Sequence, residues 1–234
     1  MKKIDIIIFD VDSTLVTIEG LDWLAEKKGR KSEVSRFTKR SMEGLMGFRD
    51  AMERKMKIIS PTRRDLAALG EKYCWSLTPG AEDIVRLLHK LGKQVWLLTG
   101  NFQPAVGILA KKLGVPATRI LCNEVYFDSL GNYAGFNSGN KLSRDNGKAE
   151  TIKELFANKK KVAFIGDSVT DLEAKEYVRM FIGFGGVAER KAVRENADYY
   201  IGEPDLSPVL SLVLTRAEKK LLMKLKPSVA SSLC

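Results

Sequence analysis

Asp10 and Asp12 close an apolar run, Ile6 to Phe9, inside the stretch Ile4 to Leu15, IDIIIFDVDSTL. An apolar β-branched run of that length, bounded by polar residues, predicts a buried strand. Two carboxylates at its carboxyl end are not explained by folding, because a half-buried acid is costly unless paired or bound to metal. In open α/β sheets, ligands sit beyond the carboxyl ends of the strands. Two further runs end in reactive residue types. Gln94 to Thr99, QVWLLT, ends in a threonine; Lys161 to Ile165, KVAFI, leads into Gly166 and Asp167, with Asp171 four residues on. Lys148 begins a helical stretch just after Gly147.

Parallel strands would bring these ends to one edge of a sheet. Several carboxylates make an oxygen-rich site for a hard cation such as Mg²⁺. A lysine supplies a point positive charge for phosphate oxygens. A free carboxylate can attack phosphorus and form an aspartyl-phosphate. A second one can protonate the leaving oxygen and then activate water. The set is suited to phosphoryl transfer, where positioning and charge neutralisation do most of the work.

The elements that must position these residues follow from periodicity. After Thr14 the pattern is helical to about Trp75. Glu19 to Lys28 is a short helix stopped by Gly29, and Ser32 to about Met46 is a second. Phe48 to Ile58 carries Phe48, Met52 and Met56 at helical spacing. Ser60-Pro61 breaks it, and a last helix runs from Thr62 to about Tyr73. This block, 17–76, is expected to be a helical cap inserted into a discontinuous core made of 1–16 and 77–234. From Thr78 strands and helices alternate, which implies a mostly parallel sheet. Thr78-Pro79 is expected to cap a helix that ends at Gly92. Pro104 to Leu113, Gly147 to Ala157, a stretch near Asp171 to Val178 and Glu189 to Asn196 are expected helices. Ile120 to Phe136 is expected to be a β-hairpin around Asp128 to Asn132, and Phe181 to Phe184 and Tyr199 to Ile201 to be short strands. A helical tail follows from Leu206.

The 234 residues suffice for one full core with a smaller insert. No apolar run reaches the ~18 residues of a membrane helix, and the start has no signal-peptide pattern. Cys74, Cys122 and Cys234 are scattered, without metal or redox spacing, which points to a reduced, cytoplasmic setting. The net charge of +10 fits nucleic-acid binding and attraction of an anionic small molecule equally, but it is spread along helices, and so solvated helix faces are expected over a nucleic-acid surface. The single histidine, His89, is expected to be a solvated or half-buried helix residue.

DVDST, the LLTG strand end, Lys148 and GDSVTD occur in the order and rough spacing of the haloacid dehalogenase-like (HAD) phosphatases. Within that superfamily the chain most resembles the phosphoserine phosphatase family, in TIEGLDWLA, FTKRSMEG, LTPGAED, NYAGF and FIGFGG. The resemblance covers about Ile4 to Tyr200. It implies a Rossmann-like α/β HAD core with a small cap, and carries over these roles. Asp10 is the nucleophile and Asp12 the general acid/base. Asp10, the backbone carbonyl of Asp12, and Asp167 hold Mg²⁺, with Asp171 supporting them. Thr99 and Gly100 bind phosphate, Lys148 pairs with it, and Thr170 lies by the substrate. Glu19 binds the substrate amino group, and Met42 and Phe48 close over it. Glu43 stands where relatives carry glycine or glutamate, and is counted with the substrate residues.

Two positions depart from the resemblance. An arginine that holds the substrate carboxylate is replaced by Lys55, with Arg54 just before it. Seven residues at ~100° each return Lys55 to within roughly 20° of Phe48, whereas Arg54 falls roughly 120° away. A lysine offers a point charge where arginine offers a fork. The glycine usual after Gly100 is Asn101, which could crowd the substrate or add a hydrogen bond.

The expected activity is Mg²⁺-dependent hydrolysis of a small phosphomonoester, O-phospho-L-serine first. The alternatives are a HAD phosphatase or phosphotransferase for another small phosphorylated amine or amino acid, a signalling receiver module, and a basic nucleic-acid-binding module. A receiver needs neither Asp12 nor a cap; only the +10 charge speaks for the last. No membrane partner is expected. Monomer or homodimer stays open, as does the role of residues 206–234.

Overall fold

The first apolar run lies at the centre of the molecule. In the computed structural model, which describes residues 3–43, 45–156 and 161–225 (without the side chains of Met42, Lys224 and Leu225), β1 (Ile6–Phe9) pairs in parallel with β2 (Gln94–Gln103) on one side and β5 (Val162–Gly166) on the other. Beyond them lie β3 (Ile120–Phe127) and β4 (Tyr133–Phe136) at one edge, β6 (Met180–Phe184) and β7 (Tyr199–Ile201) at the other. The order is β4-β3-β2-β1-β5-β6-β7. Every neighbouring pair is parallel except the β3–β4 hairpin.

The sheet is buried on both faces, which is why its central strands are continuously apolar. Ile7, Phe9, Leu97 and Ile165 point into one core layer, while Ile8, Leu98 and Phe164 point into the other. Helices α5 (Ala81–Lys90) and α6 (Ala105–Leu113) supply the first layer; α7 (Gly147–Leu155) and α9 (Lys191–Asn196) supply the second. A short α8 (Val169–Leu172) follows β5. The register sets the site: Phe9 lies opposite both Leu97 and Ile165. Asp10 is one residue past that row, and Thr99 and Asp167 are two past it, so all three emerge at the same sheet edge.

Between β1 and β2 stand α1 (Gly20–Lys27), α2 (Lys31–Met42), α3 (Phe48–Ile59) and α4 (Arg63–Trp75). An antiparallel bridge, Val16 to Leu77, joins the strands of chain leading into and out of this block. The stripe on α3 packs inward, with Met52 and Met56 buried and Phe48 half-buried. Ser60, at φ +40°, ends α3. Thr62 and Asp65 then form a reciprocal capping box that starts α4. α4 is seated on α6: a Cβ at Gly70 would come within 2.7 Å of Ile108.

Some expectations are corrected. Thr78 is no helix cap: α5 starts at Ala81 behind Gly80 at φ +80°, and the Thr78 hydroxyl donates to the Thr14 carbonyl at 2.7 Å. The demand there is the buried turn after β1. β2 runs on to Gln103, four residues past Thr99, because β3 continues to pair with it. Asp171 to Val178 is not one helix but α8 plus a short turn. Ala157, expected to end α7, lies outside the described residues. His89 is half-buried on α5 and lines no part of the cavity described below. The tail forms α10 (Pro208–Val213) and α11 (Arg216–Leu225). A buried pair, Lys93 to Glu218 at 2.8 Å, ties α11 to the sheet; Lys93 also donates to the Ile4 carbonyl at 2.5 Å. Among the described residues no helix is long and apolar enough to cross a membrane, and Cys74 and Cys122 are free thiols.

Candidate active site

Asp10 leaves β1 with its backbone N–H bonded to the Ile165 carbonyl at 2.9 Å. The chain then turns tightly: Asp12 is extended and Ser13 takes the left-handed conformation at φ +53°. This turn directs the Asp10 and Asp12 carboxyls to different partners. Asp10 Oδ1 accepts from Lys148 Nζ at 2.6 Å, and the same ammonium donates to Asp171 Oδ1 at 2.6 Å. All three side chains are buried. Asp171 Oδ2 accepts from Ser168 Oγ at 2.6 Å and from the Ser168 N–H at 3.0 Å. Asp171 is therefore a cap for α8 and a partner of Lys148 at once. Asp167 Oδ1 accepts from Thr14 Oγ1 at 3.1 Å, and its Oδ2 pairs with Arg190.

Carboxylate oxygens of Asp10, Asp167 and Asp171 lie within 4.8 Å of one another. Their charges are concentrated where water is scarce. Burial, then the neighbouring Asp171 charge, pushes the Asp10 carboxyl up to about 7, against the pull of Lys148. Burial also lifts Asp167 well above the ordinary carboxylate range, with Arg190 opposing. Burial works against the Lys148 charge, but the two aspartates outweigh it and hold the ammonium above its usual value. An all-oxygen set of three acids facing one lysine and one arginine suits a hard cation. The residues fit a metal site.

Asp12 stands apart from that cluster. Its Oδ1 accepts from Tyr73 Oη at 2.5 Å; its Oδ2 accepts from the Gly20 N–H at 2.8 Å and Asn101 Nδ2 at 2.6 Å. Burial, then the nearby Glu19 charge, raises its proton affinity well above the usual range. Glu19 Oε1 accepts from Ser13 Oγ at 2.7 Å and lies 3.6 Å from Arg190 Nη2. Thr99 Oγ1 accepts from the Asn101 N–H at 3.1 Å.

Several of these groups line one cavity. The core supplies Asp10, Asp12, Thr99, Lys148, Asp167 and Thr170 to its wall. From above come Glu19, Phe48 and Lys55. Phe48 lies on Gly100, where a Cβ would meet its ring at 2.4 Å. Lys55 Nζ donates to Thr38 Oγ1 at 3.2 Å. Arg54 is exposed, stacked 5.9 Å from the Phe37 ring, and does not reach the cavity. Glu43 is exposed beside Lys39, outside the wall. Glu43 is the C-cap residue of α2, where its N–H bonds the Lys39 carbonyl. The Met42 side chain lies outside the described residues.

Sequence reading missed several contributors. Tyr73 was legible only as the end of a helix. Asn123 sits inside β3 with no special spacing, yet its Nδ2 donates to the carbonyls of Gly100 and Leu142, both at 2.9 Å, and so ties β2 to the turn at Lys141–Ser143. Arg190 follows the glycine-rich stretch Gly183 to Gly186, and that stretch is the one sequence signal near it.

The family model for haloacid dehalogenase-like hydrolases matches residues 7–176. Phosphoserine phosphatase of Drosophila melanogaster is 38% identical over 204 residues, 86% of this chain and 76% of that protein. Phosphoserine phosphatase of Homo sapiens is 38% identical over 200 residues, 84% of this chain and 88% of that protein. A solved phospho-aspartyl intermediate analogue of phosphoserine phosphatase superposes with a TM-score of 0.77 at 27% identity, covering 91% of this chain and 100% of that one.

Proposed function

This chain belongs to the haloacid dehalogenase-like hydrolases, and on that premise we propose that it is a phosphomonoesterase that releases phosphate from O-phospho-L-serine through an aspartyl-phosphate on Asp10. The observation that carries this reading is the pairing of Asp10 with Lys148 at 2.6 Å in a cavity that Glu19 and Lys55 also line. A phosphate has a cationic partner in Lys148, and an amino acid has an anion in Glu19 and a cation in Lys55 to meet.

The contacts support the following division of labour. Asp10 is the nucleophile, lined up by its backbone bond to β5. Lys148, Thr99 and the Gly100 region hold the phosphate, and Thr170 stands beside it. Asp12 gives a proton to the leaving oxygen and takes one from water. Glu19 meets the substrate ammonium and Lys55 its carboxylate, with Phe48 covering both. Residues 17–76 act as the cap that excludes water during the first step. Asp10, Asp167 and the Asp12 backbone carbonyl would hold the metal, with Asp171 supporting them through Lys148. We take the metal as magnesium, whose charge would offset that of the phosphate.

Phosphate release from a panel of small phosphomonoesters, with Mg²⁺ or with chelator, tests this reading. The wild type is expected to prefer phosphoserine, and Asp10→Asn to lose all release. Equal turnover of phosphoserine, phosphothreonine and phosphoethanolamine would move the substrate to another small phosphorylated amine or amino acid. That second reading has one observation in its favour: Lys55 is a point charge already engaged by Thr38.

A further inference from the structure

The Asp12 carboxyl receives three hydrogen bonds from three separate elements. Tyr73 reaches it from α4, the Gly20 N–H from the start of α1, and Asn101 from β2. Two of these donors are side chains that the mechanism above does not use. Tyr73 is fully buried. Its phenol O–H is the donor in that contact. The contact depends on the absence of a side chain at position 20, since a Cβ there would lie 2.1 Å from Tyr73 Oη. Asn101 is buried as well, and its backbone is fixed by Thr99.

A carboxylate offers about four lone-pair positions over its two oxygens. On Oδ2 both are taken, by Gly20 and Asn101. On Oδ1 Tyr73 takes one and leaves one. Resting on the phosphomonoesterase reading above, we propose that Tyr73 and Asn101 are positioning residues for proton transfer: they lock the Asp12 carboxyl so that Oδ1 holds the exchanged proton. In the first step an Asp10 oxygen–phosphorus bond forms and the ester phosphorus–oxygen bond breaks. The electron pair goes to the ester oxygen, which takes the proton from Asp12 Oδ1 and leaves as an alcohol. In the second, water oxygen bonds to phosphorus, the Asp10–phosphorus bond breaks and its pair returns to Asp10. The proton of that water goes to Asp12 Oδ1, and the enzyme is restored.

The leaving group reports on this. An alkoxide needs a proton to leave, whereas p-nitrophenolate does not, and kcat/KM covers the chain of steps only through ester cleavage. General acid catalysis contributes about 10²–10⁴-fold. Tyr73→Phe and Asn101→Gly are each expected to lower kcat/KM for O-phospho-L-serine by about 10–100-fold, and for p-nitrophenyl phosphate by less than about 3-fold. Asp12→Ala should show the same selectivity in larger measure. Two variants from different elements guard against a folding defect in one, and their thermal melts are recorded alongside. Equal losses on both esters, or no loss on either, would overturn the positioning role while the phosphatase reading stood. A wild type that releases phosphate from neither ester with Mg²⁺ would overturn the phosphatase reading and the positioning role with it.

Discussion

Lys148→Met removes a side chain that touches two buried acids of the cluster at once. Its ammonium lies 2.6 Å from oxygens of both Asp10 and Asp171. At an effective dielectric constant of about 20, each such contact is worth ~6 kcal/mol of attraction before desolvation. Two carboxylates at the 4.8 Å limit of the cluster repel by ~3 kcal/mol on the same scale. The lysine thus outweighs the repulsion between the acids it joins. Methionine keeps most of the stem volume and removes the charge, leaving those acids to take up protons or a cation. Removing one partner of a buried pair costs about 3–5 kcal/mol. For a chain of 234 residues each kcal/mol moves Tm by about 2–4 °C, so a fall of about 6–20 °C is expected. Thermal unfolding at pH 7.5 in chelator measures this. Added Mg²⁺ should recover more of the loss in the variant than it adds to the wild type. Phosphate release should fall at least ~10²-fold, as for loss of a preorganised electrostatic partner. A chelated variant that melts within about 2 °C of wild type would refute the claim that Lys148 offsets the buried acids.

Four other outcomes follow from the same structure. Asp10 holds its proton up to about pH 7, so protons compete with a cation below that value; calorimetric Mg²⁺ affinity should weaken from pH 8 to pH 6, and a flat profile would contradict the assignment. Glu218 is held below its usual range, by bonds from Lys93 and the Thr215 cap that outweigh the effect of burial. A depressed folded value means stability present above the unfolded value and lost as pH falls through the folded one. Glu218→Gln should therefore flatten the fall of the urea midpoint from about pH 5 downward. Lys55→Met should lower kcat/KM for O-phospho-L-serine at least ~10-fold, about 1.4 kcal/mol, and leave phosphoethanolamine, which has no carboxylate, nearly unchanged; matched losses would remove Lys55 from that role. Gly70→Ala should destabilise the fold by about 1–3 kcal/mol through overpacking between α4 and α6, read from chemical denaturation.

The α/β alternation, the parallel sheet and the ends of β1 and β5 were legible in the chain because each depends on local pattern, whereas β2 runs four residues past its expected end. Apolar runs specify buried strands, and a parallel sheet sends its carboxyl ends to one edge, so Asp10, Thr99 and Asp167 could be grouped from order alone. Helical phase placed Lys55 on the Phe48 face, and in the fold Lys55 lines the cavity while Arg54 lies exposed. Tertiary structure decided what hydrogen-bond partners each acid has. Asp10 and Asp12 are two residues apart, yet one meets Lys148 and the other Tyr73, because extended Asp12 and left-handed Ser13 turn them apart. No periodicity announces that Tyr73 reaches back 61 residues to Asp12, or that Asn123 bonds both Gly100 and Leu142, or that Arg190 meets Asp167. Those contacts come from helices and strands distant in sequence, and their geometry exists only once the core has packed. Local pattern therefore names the reactive atoms, and packing sets which protons and charges they meet.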